Sequence, residues 1–343
     1  MSAVPSGCGR TMANIDRKPW SVRASDFPAR GSLDARLTFL LRYAILAPSA
    51  RNAQPWRFRI AGGRINLHAD LARWQRIADP NQRELRVSLG CALENLLIAA
   101  EHFGFGHEVS YFGRDQMHSL AATVDLNDAH KPEPYRAANL FPAITRRRTS
   151  HARYRSRSVS ATMLGKLRAC ESDLKINLLL TQDAAIRQAV DKLMLQADAL
   201  LLADPKYRDE LAECIGGGNF GGPWLLSTLQ QFAVAHLRVE GLLARRDHAA
   251  LMSAPVFGLI SGRVAGPEYE LKAGQLLERL YLAASGLGLC LQPVSQLLEP
   301  EKVKTRFARL FGAGGVPLLP FRLGYGDLPP HPTPRRALDD VLG

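Results

Sequence analysis

Cysteine is scarce in this chain, and the few cysteines present are poorly placed to bind one another or a metal. The 343 residues include 5 cysteines, all far apart and without a Cys-x-x-Cys pair: Cys8, Cys91, Cys170, Cys214 and Cys290. An odd, scattered set argues against a disulfide framework and against a zinc site. We therefore expect free thiols in a reducing cytoplasm, and no metal.

A long apolar run is also missing. The most apolar stretch, from Leu276 to Leu291, is interrupted by Glu278 and Arg279, and the first residues lack a basic-then-apolar signal pattern. A hydrophobic content of 46% is nevertheless ample for a globular core. The sequence therefore predicts a cytoplasmic protein with no membrane partner.

Acidic residues are outnumbered, with 32 Asp and Glu against 44 Lys and Arg, which gives a net charge of +12. A basic surface suits nucleic acid, an anionic membrane, or an anionic cofactor or substrate. The basic residues are spread along the chain. They form no zinc-finger spacing, no basic region before heptads, and no basic and aromatic stripe. A small phosphate-bearing molecule is the simpler explanation, and nucleic acid is not expected.

Familiar catalytic motifs are absent too. The chain has no Gly-x-Ser-x-Gly, His-Glu-x-x-His or P-loop pattern. The loop from Gly216 to Trp224 formally contains Gly-x-Gly-x-x-Gly, but it follows a helical pattern, and Pro223 interrupts the expected helix start. This argues against a dinucleotide fold and leaves either a structural loop or a flap over a site. No side chain stands out as an acid, base or nucleophile.

The most distinctive stretch runs from Ala47 to Trp56, between a helix-like run and a strand-like alternation. Two prolines stiffen it, and its Ser, Asn and Gln side chains can donate and accept hydrogen bonds without carrying charge. Such chemistry suits a flat, neutral heterocycle better than a metal or a scissile bond.

This segment, which we call the ring loop, resembles the flavin-ring loop of the nitroreductase-like FMN proteins, whose pattern is close to Pro-Ser-x-x-Asn-x-Gln-Pro-Trp. The match covers Pro48, Ser49, Asn52, Gln54, Pro55 and Trp56. The resemblance implies FMN as cofactor, bound by Pro48, Ser49, Arg51, Asn52 and Gln54. The alternative is a polar turn in which Trp56 only packs.

An internal repeat is the strongest organisational feature. Residues 90 to 104 align without gaps on residues 274 to 288, with seven identities in fifteen, and Glu94 aligns with Glu278. Amphipathic helices share composition by default, so one pair is weak evidence. Because each copy also follows a strand candidate, we favour two related halves.

That layout is similar to the Acg-type branch of the nitroreductase-like family, in which one chain contains both halves of a nitroreductase dimer. It implies an α+β nitroreductase-like fold with two intertwined, pseudo-symmetric halves and one composite FMN site. The expected organisation is a flexible basic arm (1–30), a first half (31–140) and a second half (141–343), as a monomer or homodimer.

Two basic segments lie in the second half. Adjacent guanidinium groups and a hydroxyl can make several charge-assisted bonds to a phosphate dianion. Basic triplets are usually solvated, so the pattern alone is weak. The resemblance implies that the FMN phosphate is bound by Arg147, Arg148, Thr149, Arg335 and Arg336. The sequence does not decide which arginine faces it.

A third segment follows the second repeat helix. In the family this position presents backbone N–H groups to the flavin N5 edge, which implies a role for Pro293, Val294 and above all Ser295. Such a donor would stabilise negative charge on reduced flavin through backbone geometry. An apolar entry into a strand is the alternative.

The resemblance implies an FMN-dependent oxidoreductase that passes hydride from NADH or NADPH, by way of FMN N5, to a flat electron-poor acceptor such as a nitroaromatic or quinone. FMN carries the chemistry, so no catalytic side chain is expected; Arg51 and His151 are candidates for contact with the substrate. The alternative is an FMN-binding or FMN-sequestering protein with a closed site and little turnover.

Overall fold

The computed structural model describes residues 15–113, 119–127, 133–171, 175–217, 219, 234, 240–311 and 315–343. Its helices are α1 (Leu33–Ala44), α2 (Arg83–His102), α3 (Phe141–Ile144), α4 (Ala161–Arg168), α5 (Ala184–Ala203), α6 (Pro205–Gly216), α7 (Glu240–Ser253), α8 (Pro267–Gly286) and α9 (Glu301–Leu310). Its strands are β1 (Ile15–Asp16), β2 (Trp56–Ala61), β3 (Arg64–Ala69), β4 (Gly106–Tyr111), β5 (Leu120–Asn127), β6 (Ile176–Thr181), β7 (Val256–Gly262), β8 (Cys290–Pro293), β9 (Val316–Gly324) and β10 (Arg335–Arg336).

Eight of these ten strands form two four-stranded antiparallel sheets with the same internal order, and β1 pairs with β10 separately. The first sheet runs β2-β3-β5-β4 and the second runs β6-β7-β9-β8. In both, the first two strands are neighbours, a long helix follows the second strand, and the last strand in the chain lies inside the sheet. The fold is therefore α+β with two similar sheets, as predicted.

The first sheet opens with a hairpin of β2 and β3. Phe58 pairs with Leu67 and Ile60 with Ile65, so the apolar side chains share one face. Gly62 and Gly63 form the turn with φ values of 59° and 80°, which glycine adopts without the strain that a Cβ would add.

The two long repeat helices cross each other at equivalent residues. A Cβ on Gly90 of α2 would lie 1.9 Å from the carbonyl oxygen of Leu271, and one on Gly274 of α8 would lie 2.0 Å from that of Val87. Only glycine permits this approach. Because Gly90 aligns with Gly274, the crossing relates the two copies by an approximate twofold axis.

Side chains from both sheets and both long helices pack into one hydrophobic cluster, which includes Phe58, Leu93, Leu280 and Phe321. The carboxyl-terminal segment also returns to the first sheet, where Gly343 N donates to the carbonyl of Phe58 at 2.8 Å. The proposed domain boundaries at residues 30 and 140 remain predictions, but the hydrophobic core is continuous across the boundary at residue 140.

The described part of the amino-terminal arm is packed against the protein. The backbone of β1 pairs with β10, and Trp20 Nε1 donates to the carbonyl of Thr333 at 2.9 Å. Phe27 stacks on Phe103 with ring centroids 4.2 Å apart. These contacts place residues 15–27 against the protein surface, which agrees with an arm draped over it; a flexible arm over residues 1–30 stays a prediction.

Local signals were less reliable at one helix start. The sequence Asp79-Pro80 is typical of a helix cap followed by proline in the first turn, but α2 begins at Arg83. Asp79 Oδ2 instead accepts from the N–H of Leu85 at 2.9 Å. The carboxylate still satisfies a first-turn donor, although from outside the normal cap position. The loop from Gly216 to Trp224, for which a structural loop and a flap were the two alternatives, lies mostly outside the described residues.

The prediction of free thiols is confirmed for three cysteines and wrong for one. Cys91, Cys170 and Cys290 are free and buried, whereas Cys214 is disulfide-bonded. Wide spacing in sequence argues against a disulfide framework, but cysteines that are far apart in sequence can still lie close together in the fold. No described helix is long and apolar enough to cross a membrane.

Candidate functional site

The ring loop adopts a strained conformation between α1 and β2. Arg51, Asn52 and Gln54 have φ values of 46°, 54° and 52°. Residues with a Cβ rarely adopt this left-handed region. Groups of such strained residues occur at functional sites, where other bonds keep the backbone in place. One holding bond runs from the N–H of Gln54 to Ser49 Oγ at 2.9 Å.

The amide side chains of the loop fix the carboxyl-terminal segment. Asn52 Oδ1 accepts from Arg335 Nη1 at 2.9 Å, and Asn52 Nδ2 donates to the carbonyl of Pro334 at 3.1 Å. Gln54 Oε1 accepts from the backbone N–H of Arg336 at 2.8 Å. The two amides therefore position the arginine pair, and direct contact of either with a cofactor ring stays a prediction.

Arginines from both predicted phosphate segments meet at the carboxyl end of α1. Arg147 Nη2 and Arg335 Nη2 donate to the carbonyl of Leu46 at 3.0 and 3.1 Å. Carbonyls at a helix carboxyl terminus carry partial negative charge, which favours cations. Both side chains are buried, at 3% and 1% exposure, although they are 188 residues apart in sequence.

The half-buried ring of Trp20 covers this group. Its centroid lies 4.8 Å from the guanidinium carbons of Arg148 and Arg335 and 5.9 Å from that of Arg147. Cation–π contact of this kind is worth about 0.5–1 kcal/mol at an exposed site. The amino-terminal arm therefore lies over three positively charged groups.

One carboxylate among the described residues faces the three arginines, and we call Arg147, Arg148, Arg335 and Glu278 the Glu278 cluster. Glu278 Oε1 lies 3.7 Å from Arg147 Nε, and its side chain is fully buried. Burial and the positive charge of Arg147 lower the pKa of Arg335 well below its usual range and lower that of Arg148. Arginine nevertheless stays protonated in proteins, so three guanidinium groups against one carboxyl group leave an excess of at least two positive charges.

The equivalent position in the first copy has a different environment, which we call the Glu94 cluster: Glu94, Glu101, Arg136 and Arg279. Arg136 forms a bidentate pair with Glu94, at 2.6 and 3.2 Å, and donates to Glu101 at 2.7 Å. Arg279 Nη1 donates to Glu94 at 3.0 Å. Two carboxylates balance two guanidinium groups, so this cluster has no charge left for a ligand.

The other predicted phosphate residues are also occupied, as are the Nη groups of Arg335, which donate to Asn52, Thr333, Pro334, Leu46 and Ala47. Arg336 Nη1 lies 3.4 Å from Asp70 Oδ2, and its Nη2 donates to the carbonyl of Asp340 at 2.8 Å. Thr149 Oγ1 accepts from the hydroxyl of Tyr281 at 2.8 Å. Both lie beside the Glu278 cluster, with their polar groups bonded inside the protein.

Arg51 points toward α6 and away from the arginine group. Its Nη1 lies 3.5 Å from Glu210 Oε2, and its guanidinium carbon lies 4.8 Å from the centroid of the Tyr207 ring. These contacts fasten the ring loop to α6. The role predicted for Arg51 in binding cofactor or substrate stays a prediction.

The segment predicted to face flavin N5 lies where β8 ends. The N–H of Val294 donates to the carbonyl of Pro320 at 2.9 Å, so it is engaged in the protein. Pro293 has no N–H to donate. Ser295 begins a short 3-10 helix, whose first N–H groups lack intrahelical acceptors, and it is therefore the best-placed donor of the three.

A polar contact connects this segment to the basic one. Gln292 Nε2 lies 2.9 Å from His151 Nδ1, and Arg322 Nε donates to Gln292 Oε1 at 2.6 Å. Desolvation and the positive charges of Arg246 and Arg322 lower the pKa of His151 to about 4. His151 is therefore a neutral hydrogen-bonding group at pH 7.

The structure brings together the ring loop, Arg147 to Thr149 and the arginine pair. It also adds residues that the sequence did not single out: Trp20, Glu278 and Tyr281. The sequence did offer a clue to Glu278, since it is one of the identical positions in the repeat. An identical glutamate in two amphipathic helices can, however, lie at the surface or face buried arginines, and the repeat alone does not distinguish the two. Trp20 had no signal.

No family model matches the chain. It is 27% identical over 358 residues to the Mycobacterium tuberculosis protein "Putative NAD(P)H nitroreductase Rv3131", covering 96% of each chain. It is 25% identical over 319 residues to "Putative NAD(P)H nitroreductase acg" of the same organism, covering 88% of this chain and 93% of the relative.

Among solved structures, the fold is similar to that of a nitroreductase named as putative from Anabaena variabilis. The TM-score is 0.57 at 11% identity, and the match covers 91% of this chain and 92% of the other. At that identity the likeness concerns the fold alone, and it extends over nearly the whole of both chains.

Proposed function

The chain is a nitroreductase-like protein, and from this premise we propose that it is an FMN-dependent NAD(P)H oxidoreductase with one composite cofactor site. The observation that carries the proposal is the uncompensated positive charge of the Glu278 cluster, directly beside the ring loop. Full-length relatives named as NAD(P)H nitroreductases support the same reaction class.

A phosphate dianion fits this cluster chemically. The Nε atoms of Arg147 and Arg335 are buried and have no hydrogen-bond partner among the described residues. A phosphate monoester carries −1.5 to −2 charges at pH 7 and offers three acceptor oxygens, and arginine binds such groups with two parallel bonds. We assign Arg147, Arg148 and Arg335 to the phosphate.

With its phosphate at the Glu278 cluster, an extended mononucleotide would place its ring end near the residues that follow Arg147. Residues 147 to 151 span at most about 14 Å when extended, and they lead from the cluster to His151 beside Gln292. We assign the ring end to Pro48, Ser49 and Ser295, with Asn52 and Gln54 as positioning residues for the arginines. When bound, FMN supplies hydride transfer between NAD(P)H and an acceptor.

We further propose that the acceptor is a flat, electron-poor molecule such as a nitroaromatic or quinone. Ser295 follows β8, and the side chain of Gln292 on that strand contacts the neutral His151. Neutral donors and acceptors suit an uncharged aromatic better than an anionic metabolite. Arg51, which is fastened to Glu210, is not needed for this role.

One observation favours a second function, in which the protein binds FMN without rapid turnover. Trp20 lies over the arginines, and the amides of Asn52 and Gln54 are bonded inside the protein. A closed site of this kind would retain FMN and slow its exchange.

The test is an absorbance spectrum of the purified protein, followed by anaerobic addition of NADPH and then of NADH. We expect a yellow protein whose flavin band is bleached by one or both nucleotides. Bleaching by dithionite alone would favour the storage function. A colourless protein that cannot be loaded with FMN would contradict both.

A further inference from the structure

Glu278 is a buried carboxylate with weak local support. Its side chain is 0% exposed, and neither of its oxygens has a hydrogen-bond partner among the described residues. Its nearest positive atom is Arg147 Nε at 3.7 Å, beyond hydrogen-bond distance. Buried carboxylates are normally hydrogen-bonded, because an unpartnered charge in a low dielectric is costly.

The groups that face Glu278 come from four elements. Arg147 follows α3, Arg335 lies on β10, Tyr281 lies on α8 itself, and α2 contributes Cys91, Glu94 and Asn95. The Asn95 amide is directed to the carbonyl of Tyr43, at 3.3 Å. Burial raises the pKa of Tyr281 to about 12 and that of Cys91 well above its usual range, so both are neutral.

Burial is the strongest influence on Glu278, and Arg147, Arg335 and the nearby Asn95 side chain only partly oppose it, so its pKa is raised to about 7. The carboxyl group is therefore partly ionised at neutral pH in the free protein. A dianion bound to the same arginines would take up their charge and add negative charge nearby. Both effects disfavour the carboxylate form.

On this geometry, and resting on the function proposed above, we propose that Glu278 is a proton-linked counterion of the arginine cluster. In the free protein its carboxylate partly neutralises Arg147 and Arg335. When a phosphate dianion binds, one proton from solvent adds to a carboxyl oxygen of Glu278, and the same proton leaves when the dianion dissociates. Cofactor retention thereby becomes dependent on pH.

The linkage has a definite sign. Above the pKa of free Glu278, binding requires proton uptake, so FMN affinity falls by up to about tenfold per pH unit. The second pKa of a phosphate monoester is about 6, so free FMN is already a dianion from pH 7 to pH 9. Proton uptake in that range must therefore come from the protein.

The experiment is calorimetric titration of the flavin-free protein at pH 8, in two non-phosphate buffers of different ionisation heat. The probes are FMN and riboflavin, which lacks the phosphate. We expect proton uptake approaching one per FMN and none with riboflavin. With Glu278→Gln we expect no uptake, affinity that is independent of pH from 7 to 9, and FMN binding about tenfold tighter than in the wild type at pH 8.

The wild-type comparison of FMN with riboflavin needs no variant and stands even if Glu278→Gln fails to fold. Tight FMN binding without proton uptake would overturn the role of Glu278 and leave the proposed function intact. Proton uptake that persists in Glu278→Gln would also overturn it. Failure of the wild type to bind FMN would overturn both proposals.

Discussion

Glu94 and Glu278 occupy equivalent positions in the two copies of the repeat, but their surroundings move their pKa values in opposite directions. Burial disfavours ionisation at both. At Glu94, Arg136 and Arg279 overcome burial and hold the pKa at about 2. At Glu278, burial prevails over Arg147 and Arg335 and raises the pKa to about 7.

Two differences between the copies account for this contrast. Glu101, which binds Arg136 in the Glu94 cluster, aligns with Ser285 in the second copy. Arg279, which donates to Glu94, aligns with the uncharged Asn95. One cluster is therefore neutral and fully hydrogen-bonded, while the other keeps a positive excess. The two copies of the repeat thus have different roles: the Glu94 cluster stabilises the fold, whereas the Glu278 cluster is suited to binding an anion.

The largest expected effect comes from breaking the neutral cluster. Glu94→Gln removes the carboxylate that both buried guanidinium groups share and leaves Glu101 on Arg136 as the remaining counter-charge of the cluster. We expect a loss of about 3–5 kcal/mol in the free energy of unfolding. The matched change, Glu278→Gln, should instead increase it, by up to about 3 kcal/mol at pH 7, because ionising a carboxyl group whose pKa is raised in the folded state costs stability. Urea unfolding measures both, and equal losses would contradict the contrast.

The helix crossing tests what the two copies share. Gly274→Ala places a Cβ against the carbonyl oxygen of Val87, and Gly90→Ala does the same at Leu271. We expect each to destabilise the protein by about 3 kcal/mol through overpacking. Gly286→Ala on the same helix, whose Cβ would meet nothing closer than 3.9 Å, is the control. A mild effect of Gly90→Ala beside a severe one of Gly274→Ala would argue against the pseudo-symmetry.

The charged cluster is tested by Arg335→Gln, which removes one guanidinium group from the proposed phosphate site. A hydrogen bond to a charged group contributes about 1.5–3 kcal/mol, so we expect FMN affinity to fall by about tenfold to a hundredfold while riboflavin affinity changes little. Arg146→Gln, in the same basic segment but exposed, should leave both unchanged. Fluorescence titration measures the affinities for FMN and riboflavin. If both affinities fell to the same extent, Arg335 would support the fold and would not bind the phosphate.

The last prediction concerns the pH dependence of stability. The pKa of Glu278 is raised in the folded state, so its contribution to stability is complete below its unfolded pKa of about 4.3. That contribution is lost as pH rises to about 7, by up to about 1.4 kcal/mol per unit. Glu94 has the opposite sign, because its lowered pKa gives stability that is lost as pH falls from about 4.3 to about 2. The difference in unfolding free energy between flavin-free wild type and Glu278→Gln, measured from pH 5 to pH 8, should show the Glu278 slope. A constant difference would contradict it.

Much of the fold could be predicted from the sequence, because its signals are local. The hairpin at Gly62 and Gly63 and the helices α1, α2 and α5 follow from hydrophobic period and turn residues. The ring loop and the two basic segments were identified from their patterns, and the repeat indicated two halves with the same strand order.

The rest depends on partners far apart in sequence. Asn52 bonds to Arg335, 283 residues away, and Arg136 reaches Glu94 and Glu101 from a loop with no recognisable pattern. No local rule could separate the paired Glu94 from the poorly paired Glu278, because the distinction lies in which arginines approach them. The contacts of Trp20 and the disulfide of Cys214 have the same origin.

The central claim is that one cluster binds a phosphate dianion and its counterpart does not. The most direct test is the stoichiometry of FMN binding to the flavin-free protein, determined by titration and by flavin released on denaturation. The account predicts one FMN per chain, bound more tightly than riboflavin and lost on Arg147→Gln with Arg335→Gln. Two FMN per chain, or binding that ignores the phosphate, would contradict it.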